Sequence, residues 1–305
     1  MFHKNSLLVC VVGPTAIGKT KLSIKIAESF SAEIISADSR QFFKEMSIGT
    51  AVPSAEELAI VPHHFIQNRS IFDNYSVGDF EKDAIALLDK LFVRNKIMVM
   101  VGGSGLYVDA ITKGLDKFPE VPSDIRETLN EQYKSSGIEP LQKELEKVDP
   151  DYFSKVDIHN HHRLMRALEI YRGTGRPFTS FLNNISEERN FNTLFIGLTA
   201  DREIIYDRIN RRVDLMIEAG LVKEARNLIK YKDLNALQTV GYRELFQYFE
   251  GDLTSEVAIS EIKKNTRRFA KRQTTWFKKN KAIHWFNFNT DHSEIIRFIK
   301  TKNAQ

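Results

Sequence analysis

Three observations predict an α/β fold built on a parallel sheet. The apolar run Leu7-Leu8-Val9-Cys10-Val11-Val12 breaks into Gly13-Pro14-Thr15-Ala16-Ile17-Gly18-Lys19-Thr20, a GxxxxGK turn closed by a hydroxyl residue. A second apolar run, Ile97 to Val101, breaks into Gly102-Gly103-Ser104-Gly105. Stripes of apolar residues at helical spacing separate the two runs. Strands alternating with helices, with glycine-rich turns at one edge, indicate a P-loop NTPase-like parallel sheet flanked by helices.

The elements follow in order. Leu22, Ile26, Ala27 and Phe30 predict a first helix from Lys19 to Phe30. Glu33 to Ser36 is a short strand whose carboxyl end delivers Asp38, Ser39, Arg40 and Gln41 to the edge where parallel sheets bind ligands. Gly49 to Pro53 is a turn, and an irregular stretch runs from Pro62-His63-His64 to Val77. Ser76 caps a helix from Val77 to Asn95, with Phe80, Ala84, Leu87, Leu88 and Leu91 as its buried stripe.

Residues 115–190 read as a helical insertion, so the core comprises residues 1–114 and 191–305, the latter with basic C-terminal helices. A strand at Asn192 to Leu198 resumes the sheet. Helices follow from Arg202 to Ala219 and from Leu221 to Tyr231, and the chain stays helical to Asn280 before a final strand at Ala282 to Phe286.

The single cysteine, Cys10, lies within the first strand, which excludes an intrachain disulfide or a cysteine-based zinc site. No apolar run reaches 18 residues, and Met1-Phe2-His3-Lys4-Asn5 carries no cleavable signal pattern, so a cytoplasmic enzyme with no membrane association is expected. The net charge is only +4, yet Lys263 to Lys281 holds nine Lys/Arg and no acid. With Phe269, Trp276 and Phe277 among them, these cations predict a nucleic-acid surface. Ile262, Phe269, Gln273 and Trp276 form the narrow packing stripe of that helix.

The glycine-rich turn suits a phosphate. Its N–H groups and the start of the following helix attract anions, Lys19 neutralises the terminal phosphates, and the Thr20 hydroxyl takes one position on Mg2+. ATP and other nucleotides bind such loops. Asp38 faces the same crevice and is a candidate general base or metal ligand, with a helix N-cap as the bland alternative. Gly102 to Gly105 stands where many P-loop enzymes carry a magnesium-holding Asp; without an acid, it reads as a loop that a substrate backbone approaches closely. Arg208 and Arg212 share a helical face suited to a diphosphate, or to pairing with Asp207 and Asp214 in solvent. His63, His64, His159, His161 and His162 lack a convincing metal set, whereas Arg163 and Arg166 beside them suggest an RNA-facing surface.

Taken together, these stretches resemble the tRNA dimethylallyltransferases. The matching motifs are Gly13 to Thr20, Ile35 to Gln41, Ile48-Gly49-Thr50-Ala51, Val101 to Tyr107, His162 to Glu169, Arg208 to Met216 with Gly220-Leu221, Val240-Gly241-Tyr242-Arg243-Glu244 and Lys271 to Trp276. They follow the family's order over nearly the whole chain. The resemblance implies transfer of a dimethylallyl group from dimethylallyl diphosphate to N6 of the adenosine 3′ of the anticodon. The substrates would be tRNAs reading codons that start with U, and the products N6-isopentenyladenosine and diphosphate. On matching positions, Gly13 to Thr20 hold the diphosphate, with Lys19, Thr20, Arg208 and Arg212 in the catalytic set and Thr20 on Mg2+. Asp38 is the base. Asp38, Ser39, Arg40, Gln41, Ser104, Arg126, His162, Arg163, Arg166, Lys271, Arg272 and Gln273 contact the tRNA anticodon stem-loop, and Ser104 also helps position the leaving group.

Departures are Ser104, where the family often has Thr, and His162, where it often has Gln or Lys. The zinc finger of eukaryotic relatives is missing, as expected of a bacterial-type enzyme that works as a monomer. Two rivals predict different chemistry. A P-loop small-molecule kinase would turn over ATP on a small acceptor, and a non-catalytic RNA-binding protein would leave Asp38 without a task.

Overall fold

The computed structural model describes residues 6–183 and 188–303; the Met1–Asn5 stretch read for a signal pattern lies outside them. The chain forms two compact units, one from residues up to Thr112 and from Arg189 onward, the other from Lys113 to Glu188.

In chain order the first unit opens with β1 (Leu7–Val12), α1 (Lys19–Phe30), β2 (Ile34–Ser36), α2 (Ala55–Ile60), β3 (His63–His64), α3 (Val77–Phe92), β4 (Ile97–Val101) and α4 (Gly105–Thr112). The second unit holds α5 (Ser123–Ser136), α6 (Glu139–Val148), α7 (Pro150–Phe153) and α8 (His161–Thr174). The first unit resumes with β5 (Asn192–Thr199), α9 (Arg202–Glu218), α10 (Leu221–Leu228), α11 (Tyr242–Glu250), α12 (Ser255–Phe277), β6 (Ile283–Asn287) and α13 (His292–Asn303).

The six strands lie in the order β3-β2-β4-β1-β5-β6, every neighbouring pair parallel. Alternation along β1 explains its wholly apolar sequence: Leu8, Cys10 and Val12 enter the core on one face, Leu7, Val9 and Val11 that on the other. With both faces covered, β1 is the centre of the sheet, and the loops after β1, β2 and β4 emerge at one edge.

Ser76 caps α3 as expected, its hydroxyl accepting the Asp79 N–H in a capping box. That helix stops at Phe92, short of the expected Asn95. Other expectations need correction. The irregular stretch from Pro62 to Val77 contains the two-residue β3, and α2 forms just ahead of it; both are too short to show a period in sequence. Beyond β6 the chain adds α13, whose Ile295 and Ile299 bury against the α1 side of the sheet. In α12, Ile262 and Gln273 are buried, but Phe269 and Trp276 are each 39% exposed, and Phe277 enters the core instead.

The second unit has its own core, made of Leu129, Leu141, Leu145, Leu164, Met165 and Leu168 with their neighbours. Among the described residues no helix is long and apolar enough to cross a membrane.

Candidate active site

The loops after β1, β2 and β4 enclose a cavity of about 1010 Å³ that α9 and α12 complete. Its wall includes Thr15 to Thr20, Asp38 to Gln41, Ser104, Arg208, Arg212, Arg272 and Gln273. Gly13 and Pro14 lie behind it. Gly13 has φ 142°, and a β-carbon there would sit 2.6 Å from the Leu198 carbonyl, so the loop can press onto β5 only with glycine. Gly18 adopts the left-handed conformation at the N-cap of α1, which starts that helix with its N–H groups toward the cavity.

Cations concentrate at this loop. Lys19 Nζ donates to the Pro14 carbonyl at 2.8 Å. Burial holds its pKa down to about 8, Asp38 opposes the shift, and Arg212 adds to it. Arg208 Nε donates to the Ala16 carbonyl at 2.7 Å, and its guanidinium lies 5.2 Å over the Phe288 ring. Arg212 is depressed by burial against the pull of Asp38 and Glu57. The two arginines are therefore drawn into the cavity, and the solvated reading of that face does not hold. Asp38 caps no helix: its Oδ1 accepts the Arg40 N–H at 3.2 Å and shapes the turn after β2.

Several residues expected at an RNA surface have internal tasks. Gln273 is 6% exposed. Its Oε1 accepts the Thr15 N–H at 2.8 Å and its Nε2 donates to the Gly103 carbonyl at 3.0 Å, tying α12 to both glycine-rich loops. Arg40 Nη1 donates to the carbonyls of Asn235 and Ala236, both at 2.9 Å. Ser104 Oγ accepts the Ser39 N–H at 3.2 Å. Gln41 spends its amide on the carbonyls of Thr50 and Ala51.

The Gly102 to Gly105 loop also differs from expectation. A β-carbon at Gly102 would overlap Ala37, one at Gly103 the Gln273 amide, and one at Gly105 the Trp276 indole. These glycines admit the protein's own groups. Trp276 Nε1 further donates to Asp109 at 2.9 Å.

The run of nine cations along α12 and just past its end is partly neutralised by acids outside its window. Lys263 pairs with Asp214 at 2.6 Å and Lys264 with Glu261 at 2.7 Å. Lys271, Arg272, Lys278 and Lys279 remain exposed, with no ion pair among the described residues; Arg272 lies over the Phe269 ring.

The second unit groups the remaining candidates. Arg126 and Arg166 both donate to Glu169 Oε2, at 3.5 and 2.9 Å. Arg163 is exposed on α8. The His162 pKa is lowered by burial and then by His161 and Arg126, while the His161 ring stacks on Tyr133 at 4.4 Å. No group of three or more His, Cys, Asp or Glu among the described residues could hold a metal ion. Sequence reasoning missed His63 in the cavity wall, Phe288 under Arg208 and the Glu224 carboxylate on α10; only tertiary packing brings these to the site.

Known proteins share this sequence and this fold. A tRNA dimethylallyltransferase of Christiangramia forsetii is 61% identical over 98% of this chain and 99% of its own. The full-length tRNA isopentenylpyrophosphate transferase of Bacillus halodurans superposes with a TM-score of 0.74 at 39% identity, covering 99% of this chain and 97% of the other. A eukaryotic dimethylallyltransferase acting on tRNA superposes with a TM-score of 0.82 at 26% identity, over 98% of this chain and 79% of that one. The IPP transferase family model matches residues 41–280, and the chain belongs to that family.

Proposed function

We propose that the chain transfers a dimethylallyl group from dimethylallyl diphosphate to N6 of the adenosine 3′ of the anticodon, in tRNAs reading codons that start with U. One observation carries the reading: the Asp38 carboxylate shares a cavity with Lys19, Thr20, Arg208 and Arg212. The diphosphate lies on the N–H groups of Ala16 to Thr20, with the three cations around it. N6 attacks the allylic carbon, the carbon–oxygen bond to the diphosphate breaks, and its electron pair leaves with the diphosphate. Asp38 takes the N6 proton. Lys19, Arg208 and Arg212 act where negative charge grows as the leaving group departs.

Mg2+ fits this donor set. It binds through one or two protein oxygens plus substrate phosphates, so the absence of a carboxylate cluster among the described residues is no obstacle, and Thr20 supplies a hydroxyl in the wall. When bound, the ion would neutralise diphosphate oxygens. The exposed cations of α12 and the Arg126, His162, Arg163 and Arg166 group meet the phosphates of the anticodon stem-loop, and the adenine leaves its stack to enter the cavity. On this reading the chain acts as a monomer, in the cytoplasm where tRNA is available. Family membership leaves the kinase reading without support.

The test is transfer of labelled dimethylallyl groups to an anticodon stem-loop carrying adenosine after the anticodon, with ATP as competitor. Asp38→Asn should still bind the RNA and transfer at least ~100-fold more slowly, the loss expected of a general base. No transfer by the wild-type chain, with ATP consumed on a small acceptor, overturns the reading.

A further inference from the structure

The segment between β2 and α2 walls the cavity through Gly49, Thr50 and Ala51 yet contains no regular secondary structure. One side chain from α10 gathers its backbone. Glu224 Oε2 accepts the N–H of Ser47 at 3.0 Å and of Ile48 at 2.9 Å. Its Oε1 accepts the N–H of Gly49 at 2.9 Å and the Tyr242 hydroxyl at 2.6 Å. Four donors on one carboxylate make a charge-assisted anchor. Burial and the adjacent Glu224 push the Tyr242 pKa up, so its hydroxyl stays protonated and donates. The Tyr242 ring closes over Gly49, where a β-carbon would lie 2.6 Å from it.

The far end of the same segment holds the turn that carries Asp38. Gln41 Nε2 donates to the carbonyls of Thr50 at 3.2 Å and Ala51 at 2.9 Å. Gln41 Oε1 accepts from Ser36 Oγ at 3.1 Å, Ser36 Oγ accepts the Asp38 N–H at 3.4 Å, and the Gln41 N–H returns to the Asp38 carbonyl at 3.0 Å. Hydrogen bonds at both ends of the 47–51 backbone thus join α10 to the Asp38 turn.

We propose that Glu224 is a positioning residue for Asp38, acting through the 47–51 segment and Gln41; this rests on the reading of Asp38 as the base. Glu224→Gln turns one acceptor oxygen into an NH2 that faces N–H and O–H donors, so at least one anchor is lost. The carbonyls that hold Gln41 then shift, and with them the reach of Asp38.

Single-turnover transfer to the anticodon stem-loop tests this, with the Kd of the RNA and of dimethylallyl diphosphate measured separately. Glu224→Gln should slow transfer about 10–100-fold, the cost of misplacing a reacting group by ~1 Å, while both Kd values stay within about threefold. Because one path connects the two residues, the Glu224→Gln/Gln41→Ala double variant should be no slower than the slower single variant. Full speed in Glu224→Gln, multiplying losses in the double variant, or weakened Kd values in step with a lowered Tm would each overturn the proposal. If Glu224→Gln does not fold, Tyr242→Phe removes one donor and keeps the ring; a slower rate that does not multiply with Gln41→Ala supports the path, and a multiplying one overturns it. Asp38→Asn separates the two readings. Wild-type speed in that variant removes the base itself, whereas its loss beside a full-speed Glu224→Gln removes only the positioning role.

Discussion

Lys19, Arg208 and Arg212 lie inside the cavity, whereas Lys271 on α12 and Lys278 and Lys279 just past its end stand in solvent, with the exposed Arg272 at the border between the two sets. Residue types are shared, but their surroundings are not. The inner cations touch loop carbonyls and an aromatic ring, and burial disfavours the charge of Lys19 and Arg212. An anion arriving among them meets groups already stripped of water, where each contact is strong and directional. Outer cations keep their water and act over a Debye length of about 8–10 Å, which favours a long polyanion over a small one.

Removing an inner arginine should therefore have the largest effect. Arg212→Ala is expected to lower kcat by about 10²–10³-fold, the size seen when one group facing developing charge is deleted. RNA affinity should stay near that of the wild-type chain, as direct RNA binding measurements would check. A loss of RNA affinity equal to the loss of rate would erase the distinction between the two sets.

Lys19 sharpens the comparison through pH. Burial lowers its pKa from 10.5 to about 8, so the fold disfavours the ammonium and its destabilising effect fades as pH rises from about 8 toward 10.5. Diphosphate binding has the opposite demand, because the anion needs the charged form. Affinity for dimethylallyl diphosphate should fall about tenfold between pH 7 and 9 as a group titrating near 8 loses its charge. Calorimetry across that range checks it, and Lys19→Arg, which stays charged, should flatten the profile.

How much of this was legible follows from the range of each signal. β1, its loop and α1 were readable because an apolar strand, two glycines and a Lys–Thr pair lie within 14 consecutive residues, Leu7 to Thr20. Ser76 was readable because a cap and its helix are neighbours in sequence. The faces of α12 were not: Phe269 and Trp276 have core spacing, but the cavity opens on that side and Gln273 is drawn inward by Thr15 and Gly103. Glu224 looked like any polar residue on an amphipathic helix until the 47–51 segment folded onto it. The glycines of the Gly102 to Gly105 loop announced a close approach correctly but not its partner, since Ala37, Gln273 and Trp276 come from elsewhere in the chain.

The smallest expected effect belongs to the outer set and bears most directly on its role. Lys271 is exposed, makes no ion pair among the described residues and lies outside the cavity wall, so Lys271→Ala should leave kcat and dimethylallyl diphosphate affinity unchanged. Stem-loop affinity should drop only a few-fold at low salt, and the slope of log K against log salt should flatten by about 0.7–0.9, the release of one counterion. Arg272 differs by lining the cavity mouth and lying over Phe269. Its replacement by Ala should change the salt slope similarly and also remove a planar cation beside an aromatic ring, a cost that added salt does not screen. A larger residual loss for Arg272→Ala than for Lys271→Ala at high salt would mark Arg272 as the point where the solvent-facing set meets the cavity. Equal losses would return it to the sequence-independent charge of α12.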